Sequence, residues 1–253
     1  MAKHAGQNRA KPRADMVLVE RGLVESRSRA QALILAGKVF SGERRIEKAG
    51  ETVRDDMELE VRGQDHPWVS RGGLKLDHAL TAFDLEVRGA VCLDVGASTG
   101  GFTDVLLSRG AARVYAVDVG HGQFAWKLRN DERVVVLERT NARYLTANEV
   151  PEPVDVIVCD ASFIGLETVL PAALALAAPG ARLVALIKPQ FEVGKGQVGK
   201  GGVVRDPAQH EQVCARIRDW LNGLPDWAVL GVTDSPITGP EGNVEFLIVA
   251  VHG

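Results

Sequence analysis

Asp94-Val95-Gly96-Ala97-Ser98-Thr99-Gly100-Gly101 is the stretch whose reading decides the fold. The apolar run Val91 to Val95 leads into it, and a helical pattern from Phe102 to Ser108, stopping at Gly110, leads out of it. A buried strand, a glycine-rich turn and a helix in that order open a βαβ unit. Glycines in such a turn let backbone N–H groups approach a ligand, and the start of the helix favours a carboxylate or phosphate.

Downstream the alternation continues. Val114 to Val119, Val134 to Leu137, Val154 to Cys159 and Leu183 to Ile187 read as strands, with helices over 165–178 and 207–221. Trp227 to Val232 and Val244 to Val251, joined by the turn Gly239-Pro240-Glu241-Gly242, read as an antiparallel pair at one side. Continuous apolar strands separated by helices predict an α/β domain with a mostly parallel seven-stranded sheet, helices on both faces, and an antiparallel last strand.

Upstream the pattern differs. Residues 1–13 are polar and basic and are expected to be disordered. Two short helices follow, one from Ala14 to a stop at Gly22 and one after Ser26 to Gly37. Short strand-like pieces at Val39-Phe40, Ile46, Thr52-Val53 and Leu59 to Val61 complete a small α+β unit over 14–62, with a linker at 63–69. The larger α/β domain is expected over 70–253.

The net charge of −3 hides an asymmetry. The first 50 residues hold 11 Lys and Arg against 5 Asp and Glu, and the rest hold 19 against 28. A basic front on an acidic body fits an anionic partner gripped at one end. Cys92, Cys159 and Cys214 lie far apart, with no CxxC, so buried thiols in a reducing compartment are expected and no metal. The apolar stretch 169–187 is broken by Pro171, Pro179, Gly180 and Arg182, so no membrane span is expected, and a cytoplasmic location follows.

The turn is a cofactor candidate. Asp94, Gly96, Ala97, Ser98, Thr99, Gly100 and Gly101 form it, and Asp118-Val119 ends the next strand. A carboxylate there can accept hydrogen bonds from both hydroxyls of a ribose, which suits NAD or S-adenosylmethionine alike. Two details favour S-adenosylmethionine: the spacing is GxxxGG rather than the dinucleotide GxGxxG, and acidic Asp94 would meet an amino group but repel a pyrophosphate. Asn141, after the third strand, is a candidate for the adenine edge or simply a turn residue.

In an open parallel sheet, ligands bind beyond the carboxyl ends of the strands. Asp160 ends the fourth strand, Lys188 ends the fifth, and Glu245 begins the antiparallel last one at the same edge. Lys75 lies in Leu74-Lys75-Leu76, on a helix before the first strand. A charge inside an apolar run is costly unless paired, so the four are expected to meet.

The segments Ser70-Arg71-Gly72-Gly73-Leu74-Lys75-Leu76, Asp94 to Gly101, Cys159-Asp160, Ile187-Lys188-Pro189-Gln190-Phe191-Glu192 and Asn243-Val244-Glu245-Phe246 together resemble the TlyA (haemolysin A) family. These are FtsJ-like ribose 2′-O-methyltransferases. The stretch Val24-Glu25-Ser26-Arg27-Ser28-Arg29-Ala30 through Gly37-Lys38-Val39 resembles an S4 RNA-binding domain. The resemblance implies a Rossmann-like class I methyltransferase fold, S-adenosylmethionine as cofactor, and ribosomal RNA as substrate, with cytidine a candidate nucleotide. It further implies that Lys75, Asp160, Lys188 and Glu245 form a Lys-Asp-Lys-Glu tetrad.

Those residue types suit the chemistry. A ribose hydroxyl must shed its proton, and an ammonium about 4 Å from the developing oxyanion is worth on the order of 4 kcal/mol at an effective dielectric of 20. Lys188 is assigned the central place, as base or oxyanion stabiliser. Lys75 acts on it as a like charge, and Asp160 and Glu245 orient it. Which lysine is neutral, the target nucleotide, the ribosomal subunit and the oligomeric state stay open.

In the front unit Arg27, Arg29, Lys38, Arg44, Arg45 and Lys48 cluster around the second helix and the following turn, predicting phosphate contacts to structured RNA. With Phe40 its one aromatic, stacking on bases is not expected to dominate. The competing readings are a Rossmann oxidoreductase, a non-catalytic ribosome-assembly factor and a membrane-lytic protein. NAD binding, RNA binding without methyl transfer, and vesicle leakage respectively distinguish them.

Overall fold

The computed structural model describes residues 12–24, 26–54, 57–63, 66–194, 196–199, 201–239 and 242–253. The basic tail up to residue 11, Glu25, and Pro240-Glu241 of the expected turn lie outside the described residues. Contacts divide the chain into two units, Met1–Pro67 and Trp68–Gly253.

In the first unit, α1 (Ala14–Glu20) and α2 (Arg27–Leu35) pack beside a small sheet of β1 (Val39–Ser41), β2 (Arg44–Arg45) and β3 (Glu60–Val61), in antiparallel order β2-β1-β3. Ser26 caps α2 as expected, its Oγ accepting from the Arg29 N–H at 3.2 Å. Leu18, Leu33, Ile34, Val39, Ile46 and Val53 form the core. The expected strand at Thr52-Val53 shrinks to one bridge between Thr52 and Arg13, because its partner is the short segment entering α1.

The second unit runs α3 (Gly72–Ala82), β4 (Val91–Val95), α4 (Gly101–Ser108), β5 (Arg113–Val117), α5 (Trp126–Arg129) and β6 (Val134–Leu137). It continues through β7 (Val154–Cys159), α6 (Leu166–Val169), α7 (Pro171–Leu174), β8 (Ala177–Ile187), α8 (Pro189–Glu192), α9 (Pro207–Asn222), β9 (Trp227–Asp234) and β10 (Phe246–His252). The sheet order is β6-β5-β4-β7-β8-β10-β9. The strands β4 to β8 pair in parallel, and β10 is antiparallel to both of its neighbours.

Side chains alternate across the sheet, and this parity sorts the site. Leu93, Val95, Ile157, Cys159, Leu183, Ala185 and Ile187 belong to the apolar layer that includes Leu166, Leu174, Val213 and Ile217 of α6, α7 and α9. Cys92, Val156, Val158, Val184, Leu186 and Leu247 belong to the opposite layer, with Leu76 and Leu80 of α3 and Phe102 and Leu106 of α4. Asp94, Asp160, Lys188 and Glu245 share the parity of this second set. They therefore fall on the face that α3 and α4 cover.

Two expectations need correction. The single helix over 165–178 is two short helices, because Pro171 cannot supply the N–H an uninterrupted helix requires; it starts α7 instead, and β8 begins at Ala177. The linker expected over 63–69 ends earlier: Trp68 and Val69 pack against the α3–α4 layer, and the Val69 N–H donates to Asp104 Oδ2 at 2.8 Å. Among the described residues, no helix is long and apolar enough to cross a membrane.

Candidate active site

A cleft of about 510 Å³ opens beyond the carboxyl ends of four parallel strands. Gly96 and Ser98 after β4, Asp118 and Val119 after β5, Asn141 after β6 and Asp160 after β7 all line it. Gly96 sits at φ +82°, and a Cβ there would lie 2.9 Å from the Ala161 backbone, so only glycine lets the β4 turn pass the loop after β7. Asp118 is held by two main-chain donors, the Ser98 N–H at 2.8 Å and the Gly120 N–H at 2.7 Å. Each carboxylate oxygen keeps a further lone pair. Asn141 Oδ1 accepts from the Arg143 N–H at 3.1 Å, capping the 3₁₀ turn Ala142–Tyr144, so it is a turn residue that also lines the cleft.

Ala97, Thr99, Gly100 and Gly101 are not on the wall of this cleft. A Cβ on Gly101 would stand 2.3 Å from Ser70 Oγ and 3.0 Å from the Gly73 nitrogen, so this glycine lets α4 start hard against α3. Asp94 lies beneath the wall, fully buried. Its Oδ2 accepts from Thr103 Oγ1 at 2.7 Å, while its Oδ1 is buried with no hydrogen-bond partner among the described residues. Burial pushes this carboxyl up to about 7; the Thr103 bond opposes the rise and the charges of Asp160 and Asp118 add to it.

The four charges expected to meet do so. Lys188 Nζ lies 2.7 Å from Asp160 Oδ1, Asp160 Oδ2 lies 3.8 Å from Lys75 Nζ, and Lys75 Nζ donates to Glu245 Oε2 at 2.6 Å. Lys75, Lys188 and Glu245 are buried, and Asp160 is the member that reaches the cleft wall. The β8–β10 register, Phe246 opposite Ile187, carries on to set Glu245 across from Lys188. Yet Glu245 makes its ion pair with Lys75, which corrects the expectation that it orients Lys188 directly. In its place Ser162 Oγ accepts from Lys188 Nζ at 2.8 Å.

Ser162 was not singled out from sequence; its signal was its position three residues past the end of β7. Phe163 was missed likewise. It is 89% exposed, lines the cleft, and its ring centroid lies 5.0 Å from that of Phe191, which follows Lys188 by three residues. Glu192 was missed too. Its carboxylate accepts from the Leu166 N–H at 2.8 Å and pairs with Arg216 at 2.8 Å, tying the end of α8 to the start of α6 and to α9.

In the first unit the six candidate cations lie on a largely exposed surface. Arg27 donates to Asp15 Oδ2 at 2.9 Å, Lys38 to the Gly63 carbonyl at 2.9 Å, Arg44 pairs with Glu51, and Arg45 stands 3.8 Å from Glu47. Arg29 and Lys48 form no ion pair among the described residues. Sequence reasoning missed Asp15, fully buried and bound by Arg13, Arg27 and Gln31. Hydrogen bonding by Arg13 foremost holds this carboxyl well below the usual range, against the cost of burial. Phe40 is covered by the Arg62 guanidinium, 4.3 Å from the ring centroid.

Residues 68–251 match the FtsJ-like methyltransferase family, and residues 12–59 match the S4 domain. A Mycobacterium tuberculosis protein named 16S/23S rRNA (cytidine-2′-O)-methyltransferase TlyA is 53% identical, over 93% of this chain and 88% of its own length. Hemolysin A of Brachyspira hyodysenteriae is 42% identical, over 93% of this chain and 98% of its own. A solved structure of a candidate hemolysin from Streptococcus thermophilus is 41% identical, covers 96% of this chain and 90% of its own, and superposes with a TM-score of 0.76. The chain belongs to the FtsJ-like methyltransferase family, in the TlyA and hemolysin A group that carries an S4 domain in front of the catalytic one.

Proposed function

We propose that this protein transfers a methyl group from S-adenosylmethionine to the 2′-hydroxyl of a ribose in structured RNA, with ribosomal RNA as the substrate and cytidine as the target nucleotide. The observation that carries the reading is Asp160, which stands on the cleft wall and in ion-pair distance of both buried lysines. A site for binding alone has no need of two buried ammonium groups beside a cofactor cleft.

The residues present fit the cofactor. Asp118 keeps lone pairs for ribose hydroxyls, and the unpartnered Oδ1 of Asp94 suits a cationic amino group. Asp160 on the wall and Asp94 beneath it disfavour a pyrophosphate, which argues against a dinucleotide. When bound, S-adenosylmethionine supplies a methyl group already activated on a sulfonium. What remains for the chain is alignment and removal of one proton. Lys188 Nζ takes the proton of the ribose hydroxyl; Asp160 fixes the direction of that Nζ. Lys75, itself held by Glu245, stands on the other side of the Asp160 carboxylate from Lys188. The front unit supplies phosphate contacts through Arg27, Arg29, Lys38, Arg44, Arg45 and Lys48. The resemblance of that unit to S4 domains and the name of the mycobacterial relative support RNA of the ribosome as the partner.

The test is incubation with methyl-labelled cofactor and separated small and large ribosomal subunits, followed by alkaline hydrolysis and mapping. Label at a ribose that resists alkaline cleavage is the expected result. Label on a base, or none on RNA, would overturn the proposal.

A further inference from the structure

Lys188 Nζ meets three oxygens: Asp160 Oδ1 at 2.7 Å, the Asp160 carbonyl at 3.0 Å and Ser162 Oγ at 2.8 Å. A protonated lysine has three N–H donors; the Asp160 carbonyl and Ser162 Oγ each accept one, while Asp160 Oδ1 stands at ion-pair distance without hydrogen-bond geometry. An unprotonated amine has two N–H donors and one lone pair. The carboxylate and the carbonyl can only accept, whereas a hydroxyl donates or accepts and rotates between the two. Ser162 is thus the neighbour of Lys188 able to follow a change in its proton count. Lys75 Nζ, in contrast, faces the carboxylates of Glu245 and Asp160. The hydroxyl therefore singles out Lys188 as the lysine that exchanges a proton.

We infer that Ser162 is a positioning residue for the methyl transfer. Its hydroxyl donates to the Lys188 lone pair before substrate enters and yields that place to the incoming ribose hydroxyl. It then accepts the third N–H once Nζ has taken the proton. The step balances: the ribose O–H bond breaks, its electron pair forms the O–CH₃ bond, the proton goes to Nζ, and the carbon–sulfur pair stays on the departing thioether. Because the Ser162 contact to an ammonium forms as the proton arrives, it stabilises the late state more than the early one, which is what speeds a reaction. This rests on the ribose methyltransferase reading above.

Ser162 is exposed on the cleft wall, so removing its oxygen opens no hole in the core. Single-turnover methylation is measured for the parent, Ser162→Ala, Ser162→Thr and Lys188→Ala, alongside affinity for S-adenosylhomocysteine and KM for RNA. Ser162→Ala is expected to lower kcat roughly ten- to a hundredfold, the effect of losing a hydrogen bond to a charged group, with KM and cofactor affinity unchanged. Ser162→Thr, which keeps the hydroxyl, recovers most of the rate. An unchanged kcat in Ser162→Ala overturns the inference, as does a loss confined to KM or cofactor affinity, or a threonine variant as slow as alanine. Turnover by Lys188→Ala overturns the methyltransferase site itself. An inactive Lys188→Ala beside a fully active Ser162→Ala overturns the role of Ser162 alone.

Discussion

In the first unit, Arg27, Arg29, Arg44, Arg45 and Lys48 lie exposed, and one buried carboxylate, Asp15, gathers Arg13 and Arg27. In the second, two lysines and a glutamate are buried in a chain of ion pairs whose fourth member, Asp160, reaches a cleft. Exposed cations keep their hydration, cost the fold little, and act by displacing counterions from a polyanion. Buried ions carry a desolvation cost of several kcal/mol each that only close pairing offsets. Under the proposed function the contrast separates gripping from reacting: charge that would recognise a phosphate backbone stays wet, and charge that would move one proton is kept dry and aimed.

The sharpest way to break this contrast is to neutralise the shared partner. Asp160→Asn keeps the size and loses the charge facing both lysines, and kcat is expected to fall on the order of a hundredfold or more. A radiolabel transfer assay measures it; a fall of less than about threefold would make Asp160 a structural ion pair only.

Stability gives the next largest effect. Glu245→Ala leaves Lys75 buried with only the 3.8 Å contact to Asp160, so a loss of roughly 3 to 5 kcal/mol is expected. In thermal melts this lowers Tm on the order of 10 °C. Arg45→Ala, breaking an exposed pair with Glu47, should cost no more than about 1 kcal/mol. Equal losses in the two variants would erase the difference between the units.

A pH series sharpens the account of the cleft. Asp94 is pushed up to about 7 from an ordinary 3.8. Between those values the folded chain holds a proton that the unfolded chain has released. Stability therefore falls as pH rises through this window and levels off above about 7. The carboxyl must ionise to attract a cationic amino group, so S-adenosylhomocysteine should bind more tightly as pH passes about 7. Calorimetry on Asp94→Asn should show neither trend; a parent-like slope in that variant assigns the titration elsewhere.

The smallest effect belongs to the front unit. Arg29→Ala and Lys48→Ala should each weaken RNA binding and reduce the slope of log K against log salt by about 0.7 to 0.9. An unchanged slope in both removes these residues from the gripping surface.

Most of the sheet was legible because strand parity and strand ends are local signals. Val134 to Leu137 and Val154 to Cys159 carry their bounds in the apolar runs themselves. The edge at which Asp160, Lys188 and Glu245 meet followed from chain direction alone. Which carboxylate faces which lysine was not legible, since Glu245 could reach either and the choice depends on where α3 delivers Lys75. The glycines at 100 and 101 misled for a related reason. A glycine-rich turn looks the same whether it clears space for a ligand or for neighbouring chain, and here Leu128 and Phe124 occupy that space at Gly100, and Ser70 and Gly73 at Gly101. Asp15 gave no signal because its partners, Arg13, Arg27 and Gln31, come together only after α1 packs on α2.

The most direct test is a paired measurement on Lys188→Ala: single-turnover methyl transfer to ribosomal subunits and affinity for S-adenosylhomocysteine in the same preparation. Transfer should be lost by at least about a hundredfold while the cofactor still binds as in the parent. Transfer persisting at the parental rate would contradict the account, and cofactor binding lost together with it would make Lys188 part of the pocket rather than of the chemistry.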